Sequence, residues 1–271
     1  MTTRPPYQLP NGLSVRHLNG HETDFLYKEI FEDEVYWRHG MYLKETACVF
    51  DVGANIGLFT LFALQRCPTA RVVAFEPSLD AYECLKKNTA SYGENVKTYR
   101  SGLSDENREA VLTFYPNNSI LSGFYDNEAE QKRFLAGYIT NYLIQNTRNG
   151  REPFPWYVES LVTELLQNRR QETCCLRTMS SIISELGITK IDLLKIDAER
   201  CEADIVRGIN EEHWGIIERV AMEIHETEDF NAGDMCALLQ SKGFRVEMAE
   251  QRKEEEVGIC NLHATRSPSK S

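Results

Sequence analysis

The sequence predicts an α/β fold built on a mostly parallel sheet, and three features of its 271 residues point there. From residue 47 short β-rich runs alternate with helical stretches: CVFDV then LFTLFALQ, RVVAFE then LDAYECLKKNTA, and later KIDLLKIDA, ADIVRGI, ERVAMEIH and MCALLQSKG. Parallel strands need crossovers of about a dozen residues or more, so the alternation implies a sheet covered by helices on both faces. The closing runs FRVEMAE and VGICNLHATR leave no room for a helix between them, which predicts an antiparallel hairpin at one edge. Between the first strand and its helix, VFDVGANIGLF supplies a glycine-punctuated turn.

Taken in order, residues 1–46 form an N-terminal cap. Pro5-Pro6 and Pro10-Asn11-Gly12 punctuate a strand or hairpin around 13–18, and Phe25, Leu26, Ile30, Phe31 and Val35 recur at helical spacing within a cap helix over 22–42. Residues 47–114 form the first half of the core, with VKTYRSGL as its third strand. Residues 115–175 interrupt it: aromatic and Pro/Gly clusters flank EQKRFLAGYITNYLIQ and VESLVTELLQ, the pattern of a helical lid or acceptor-binding insertion. Residues 176–266 complete the core, and the polar stretch 267–271 reads as a disordered tail.

A net charge of −11 repels phosphate backbones and argues against nucleic-acid partners. A small-molecule or protein-borne substrate fits better. Eight cysteines without C-x-x-C or ligand-like spacing read as reduced thiols. Neither a signal peptide nor a membrane span is visible, so the expected location is the cytoplasm.

The turn is built for close contact. Gly53 and Gly57 let backbone approach a ligand, and Asn55 tolerates left-handed conformations. The spacing Gly53-x-x-x-Gly57 departs from the G-x-G-x-x-G of dinucleotide folds, and Asp51 beside it disfavours phosphate and suits a cationic amine. The second strand ends in Glu76, 23 residues after Gly53, where a carboxylate can hold both ribose hydroxyls. An adenosine, an ammonium and no phosphate describe S-adenosylmethionine better than NAD.

VFDVGANIGLFTLFA, VVAFEPSLDAYECLKKN and LLKIDAERCEADIVRGI resemble the FkbM-type family of class I S-adenosylmethionine-dependent methyltransferases. The likeness covers most of the chain, and FYPNNSILSGFY with KIDAERCEADIVRGI looks most like O-methyltransferase domains of polyketide and nonribosomal peptide assembly lines. The resemblance implies a Rossmann-like, seven-stranded sheet. It implies Asp51, Gly53, Ala54, Asn55 and Gly57 around the methionine and ribose, Glu76 and Pro77 on the ribose, and Ser101, Gly102, Leu103 and Ser104 bordering the adenine. Tyr36 and His39 would close over the cofactor. Where the family commonly has glycine after Asp-x-Glu, this chain has Arg200.

Two strand ends carry unusual polar density. Alternation in LLKIDAE groups Lys195, Asp197 and Glu199, and in VAMEIHE it groups Glu223 and His225. Methyl transfer to a hydroxyl needs alignment, exclusion of water and a proton acceptor. His225 is the preferred base, because imidazole titrates near working pH; Glu199 or Glu223 would orient it, and Asp197 would lie at the cofactor's methionine end. In the rival scheme Asp197, Glu199 and Glu223 hold Mg²⁺; metal-free catalysis is favoured. His17, His21, His213 and His263 lack a companion pattern.

The function read from this is O-methylation of a hydroxyl on a natural-product intermediate, free or tethered to an acyl carrier protein, with the aromatic insertion forming an acceptor tunnel. Methylation of a sugar or another small molecule is the alternative within the same chemistry. A cofactor-binding protein without catalysis is the alternative outside it, kept open by Arg200.

Overall fold

The computed structural model describes residues 5–125, 127–146, 151–226, 230–248 and 259–266; the expected tail at 267–271 lies outside them. The chain opens with a two-stranded hairpin, β1 (Tyr7–Gln8) and β2 (Ser14–Val15), then α1 (Gly20–Tyr27) running into a π-helical turn at Lys28–Glu32. The predicted cap helix over 22–42 therefore ends ten residues early. Glu34 takes a left-handed conformation, φ +49°, which a right-handed helix cannot contain.

The main sheet has seven strands: β3 (Cys48–Val52), β4 (Arg71–Phe75), β5 (Val96–Tyr99), β9 (Leu193–Ile196), β10 (Arg219–His225), β11 (Phe244–Met248) and β12 (Ile259–Arg266). Their spatial order is β11-β12-β10-β9-β3-β4-β5, with β12 antiparallel to both neighbours and the other pairings parallel. This is the predicted sheet, edge hairpin included. From β3 the chain builds outward one way through β4 and β5, then returns to build the other way through β9 and β10. Strand order thus reverses between β3 and β9, and ligands bind at the carboxyl ends beside such a reversal.

Strand alternation sorts the core onto two faces. Val49, Val72, Leu193 and Ala221 pack with Phe59 and Phe62 of α2 (Leu58–Arg66) and with the N-terminal cap. Phe50, Val52, Val73, Phe75, Leu194 and Met222 pack on the opposite face, with Met179 and Ile182 of α6 (Met179–Leu186) and Ile205 of α7 (Glu202–Arg207). The helix α3 (Leu79–Thr89) follows β4.

The run VKTYRSGL does not form one strand. It breaks after Tyr99, and β6 (Ser101–Leu103) joins β7 (Arg108–Phe114) and β8 (Arg170–Arg177) in a second sheet of order β6-β8-β7. Residues 170–175, read as insertion, are thus part of a strand paired along its length with β7. Its sequence, RQETCCLR, buries only Cys174 and Leu176, so the ladder rather than an apolar pattern defines it. Between them α4 (Glu128–Asn146) and α5 (Pro155–Leu166) pack on each other through Leu135, Ile139, Val158 and Val162. Among the described residues no helix is long and apolar enough to cross a membrane.

Candidate active site

The turn after β3 forms because three positions accept left-handed backbone: Gly53 (φ +74°), Asn55 (+49°) and Gly57 (+92°). Gly53 admits no side chain, since a Cβ there would lie 1.7 Å from the carbonyl oxygen of Asp197. The N–H groups of Gly53 and Ala54 both donate to the Phe75 carbonyl, at 3.1 and 2.9 Å, fastening the turn to the end of β4. The Asn55 N–H donates to Glu76 Oε2 at 2.9 Å, and the Ser78 N–H to Oε1 at 2.8 Å. Burial pushes the Glu76 carboxyl up to about 7, and these two hydrogen bonds oppose that rise.

These residues edge a cleft at the strand-order reversal, enclosing about 770 Å³ with its open mouth included. Gly53, Asn55, Glu76, Pro77, Gly102 and Leu103 line it, together with Asp197 and Glu199. The roof is the segment 119–124, immediately before α4. Among the described side chains of α4 and α5 none lines it, and Tyr142 and Trp156 are exposed, so among the described aromatic residues of the expected tunnel Phe124 alone reaches this cleft.

Several expected cofactor residues lie elsewhere. Asp51 is fully buried on the face of β3 opposite Val52, where Lys195 is its register partner on β9. Its carboxylate accepts the Thr60 hydroxyl at 2.6 Å and lies 3.3 Å from Lys195 Nζ, which also donates to the Gly53 carbonyl at 2.8 Å. Asp51 therefore holds the turn from behind, and with its charge matched by Lys195 it does not itself exclude a phosphate. Ala54 and Gly57 are turn-builders below the cleft; the space beside Gly57 is taken by Leu85. Tyr36 does not line the cleft either, but its hydroxyl donates to Asp197 Oδ2 at 2.8 Å and so orients a residue that does. His39 does not close over the cleft, because its left-handed backbone (φ +53°) carries it to the edge hairpin, 2.7 Å from Glu247. Ser101 is buried within β6 and Ser104 bonds Asp105, leaving only Gly102 and Leu103 of that quartet in the wall.

Beside the turn, β9 stops at Ile196, and the chain turns so that Glu199 leaves Lys195 and Asp197 and meets His225 from β10. His225 Nε2 lies 3.0 Å from Glu199 and 3.5 Å from Glu223, and its Nδ1 lies 2.8 Å from Glu202 at the start of α7. Burial by itself would lower the histidine's pKa, but the three carboxylates reverse this and hold it well above the usual value. Both ring nitrogens face carboxylates, which favours the protonated ring, and His225 stands behind Glu199 rather than in the cleft wall. Burial raises the Glu199 carboxyl to about 7, against the pull of His225. Glu223 is also raised, by burial and then by Asp197 and Glu29.

Glu202 and Lys195 are the site-supporting residues whose roles the sequence did not reveal. Glu202 lies three residues after Glu199, the spacing at which a loop acid and a first-turn helix acid can converge on one partner. Arg200, between them, adopts φ +64°. The loop thus keeps the conformation a glycine would favour, at a cost of about 1–2 kcal/mol for a residue with a Cβ.

A sequence model of the Methyltransferase FkbM domain matches residues 51–246. The chain is 36 % identical over 246 residues to the 31-O-demethyl-FK506 methyltransferase FkbM of Streptomyces tacrolimicus, covering 90 % of each. It is also 36 % identical over 264 residues to the AMB antimetabolite synthetase AmbE of Pseudomonas aeruginosa, covering 95 % of this chain but spanning only 12 % of that protein. A solved magnesium protoporphyrin IX methyltransferase (ChlM) from Synechocystis PCC 6803 with bound SAM superposes with a TM-score of 0.40 at 12 % identity, over 92 % of this chain and 80 % of that one, too loosely to carry weight. The family match spans the turn, Glu76 and both polar strand ends, and the chain belongs to the FkbM methyltransferase family.

Proposed function

We propose that the chain is an S-adenosylmethionine-dependent O-methyltransferase acting on a hydroxyl of a natural-product intermediate, free or carrier-tethered. The observation that carries this is one cleft lined both by Glu76, whose oxygens are placed to take ribose hydroxyls, and by Glu199, a carboxyl raised to about 7. Glu76 lines the cleft and takes one backbone N–H on each oxygen, which leaves lone pairs for ribose hydroxyls. Gly53 lets the turn pack directly on the backbone of Asp197, where a side chain would clash. These features fit the cofactor, with Glu76, Pro77, Gly53, Asn55, Gly102, Leu103 and Asp197 as the residues that would hold it. When bound it supplies an electrophilic methyl group on a sulfonium.

The rest falls to the chain's own groups. Glu199, ionised above about 7, takes the acceptor hydroxyl's proton, a step typically worth about 10²–10⁴ in rate. His225 is assigned as the cation that orients Glu199 and balances its charge, rather than as the base. Glu202 fixes the imidazolium through Nδ1, and Tyr36 and Lys195 fix Asp197. The roof excludes water. The name of the FkbM relative supports oxygen as acceptor, and that of AmbE supports an assembly-line setting.

The test is transfer of labelled methyl from S-adenosylmethionine to a panel of hydroxyacyl-pantetheines, free macrolide-type alcohols and sugars. Labelled product in the first two groups is expected. Cofactor binding without product across the whole panel would replace the enzyme with a binding protein.

A further inference from the structure

Glu22 sits in α1 with 7 % of its surface exposed, and so deep a carboxylate is costly unless its oxygens are satisfied. Its partners are hydrogen-bond donors rather than a cation. It accepts both donors of Ser119, the backbone N–H at 2.9 Å and the hydroxyl. The oxygen of that hydroxyl accepts the side-chain N–H of Asn55 at 2.9 Å, and Asn55 gives its backbone N–H to Glu76. One polar chain thus runs from the N-terminal cap, through the first residue of the roof, to the cofactor turn and the ribose acid. Leu26, one helical turn beyond Glu22, lines the same cleft.

We propose that Glu22 is a cofactor-positioning residue: its carboxylate docks the roof segment 119–124 onto Asn55, so that roof and turn present one closed surface to the bound cofactor. This rests on the reading of the cleft as the S-adenosylmethionine site. Burial pushes the Glu22 carboxyl up, and the Ser119 and Asn55 donors pull it back. Only the ionised form accepts from both donors of Ser119 without presenting a proton of its own. A glutamine here has one acceptor and one donor group, so either orientation of its amide leaves a Ser119 donor without an acceptor.

The experiment is calorimetric titration of S-adenosylhomocysteine into the full chain and its Glu22→Gln, Ser119→Ala and doubly substituted variants. Each single variant is expected to weaken binding about tenfold. The double variant should bind no more weakly than Ser119→Ala alone, since both act through one contact. In saturating ligand, amides 119–124 should exchange faster in both single variants, and the catalytic loss should fall on the donor's KM more than on kcat. A merely structural Glu22 would lower Tm while leaving affinity within about twofold of wild type, and that result overturns the proposal. If Glu22→Gln does not fold, Ser119→Ala alone decides, since unchanged affinity there overturns it equally. A wild-type chain that does not bind the ligand overturns the cofactor reading itself, whereas binding that is insensitive to both variants overturns only this inference.

Discussion

Two buried charge groups flank the end of β9, and they differ in balance and in the carboxyl each presents to the cleft. Asp51 and Lys195 pair on the covered face of the sheet, supported by Thr60, with neither in the cleft wall. His225 instead faces three carboxylates, and one of them, Glu199, reaches the cleft. Lys195 also reaches Asp197, at 3.4 Å, so the first group sets two carboxylates against one cation, and its cleft-lining member is held by Lys195 and the Tyr36 hydroxyl. The second sets three carboxylates against one cation, and its cleft-lining member, Glu199, is raised to about 7. Burial of charge alone therefore does not mark the chemistry here; a cleft-lining carboxyl held near neutrality does.

The sharpest way to break this contrast is Lys195→Met. It leaves Asp51 buried without its cation, so the expected loss is about 3–5 kcal/mol of stability, read by denaturant unfolding. A loss of activity without a loss of stability would move Lys195 into the reacting site. Next comes His225→Gln, which strands Glu199, Glu202 and Glu223 together. Near neutral pH it should cost about 2–4 kcal/mol. The sign with pH follows from the direction of the shift. A histidine held above its unfolded pKa contributes fully below that unfolded value and loses its contribution as pH rises through the folded one. The deficit of the variant is therefore fullest in mild acid and shrinks as pH rises through the folded value. A deficit that grows as pH rises through that range would contradict the imidazolium assignment.

The Glu76 end should respond to pH through binding. Its carboxyl titrates at about 7, and ribose hydroxyls donate to the ionised form. Affinity for S-adenosylhomocysteine should therefore fall as pH drops below about 7, approaching tenfold per unit, and should become flat in Glu76→Gln. The smallest expected effect is that of chelation. With His225 in place as the counter-cation of Glu199 and Glu223, treatment with EDTA should leave methyl transfer unchanged. Loss on EDTA and recovery with Mg²⁺ would favour the carboxylate-metal scheme instead.

The sheet was legible in the sequence because its strands are apolar runs with glycine and acidic punctuation at their ends. The small sheet was not, since β8 is polar along most of its length and is defined by pairing across a long insertion. Gly53, Asn55, Glu76 and Pro77 line the cleft, and the sequence could point to them because backbone conformation and end-of-strand position are local properties. Asp51 and His39 do not line it, for the opposite reason. Which face of β3 meets the cleft, and where a left-handed residue sends the chain, depend on neighbours far away in sequence. His225 does fall in the polar cluster, but its raised pKa rests on Glu199 and then Glu202, whose approach to it is a tertiary fact.

Glu199, rather than His225, is assigned to take the acceptor's proton, and Glu199→Gln tests that role most directly, with S-adenosylhomocysteine affinity and single-turnover methyl transfer measured on the same preparation. Near-wild-type affinity with transfer slowed about 10²–10⁴-fold is expected. Transfer at the wild-type rate would contradict it.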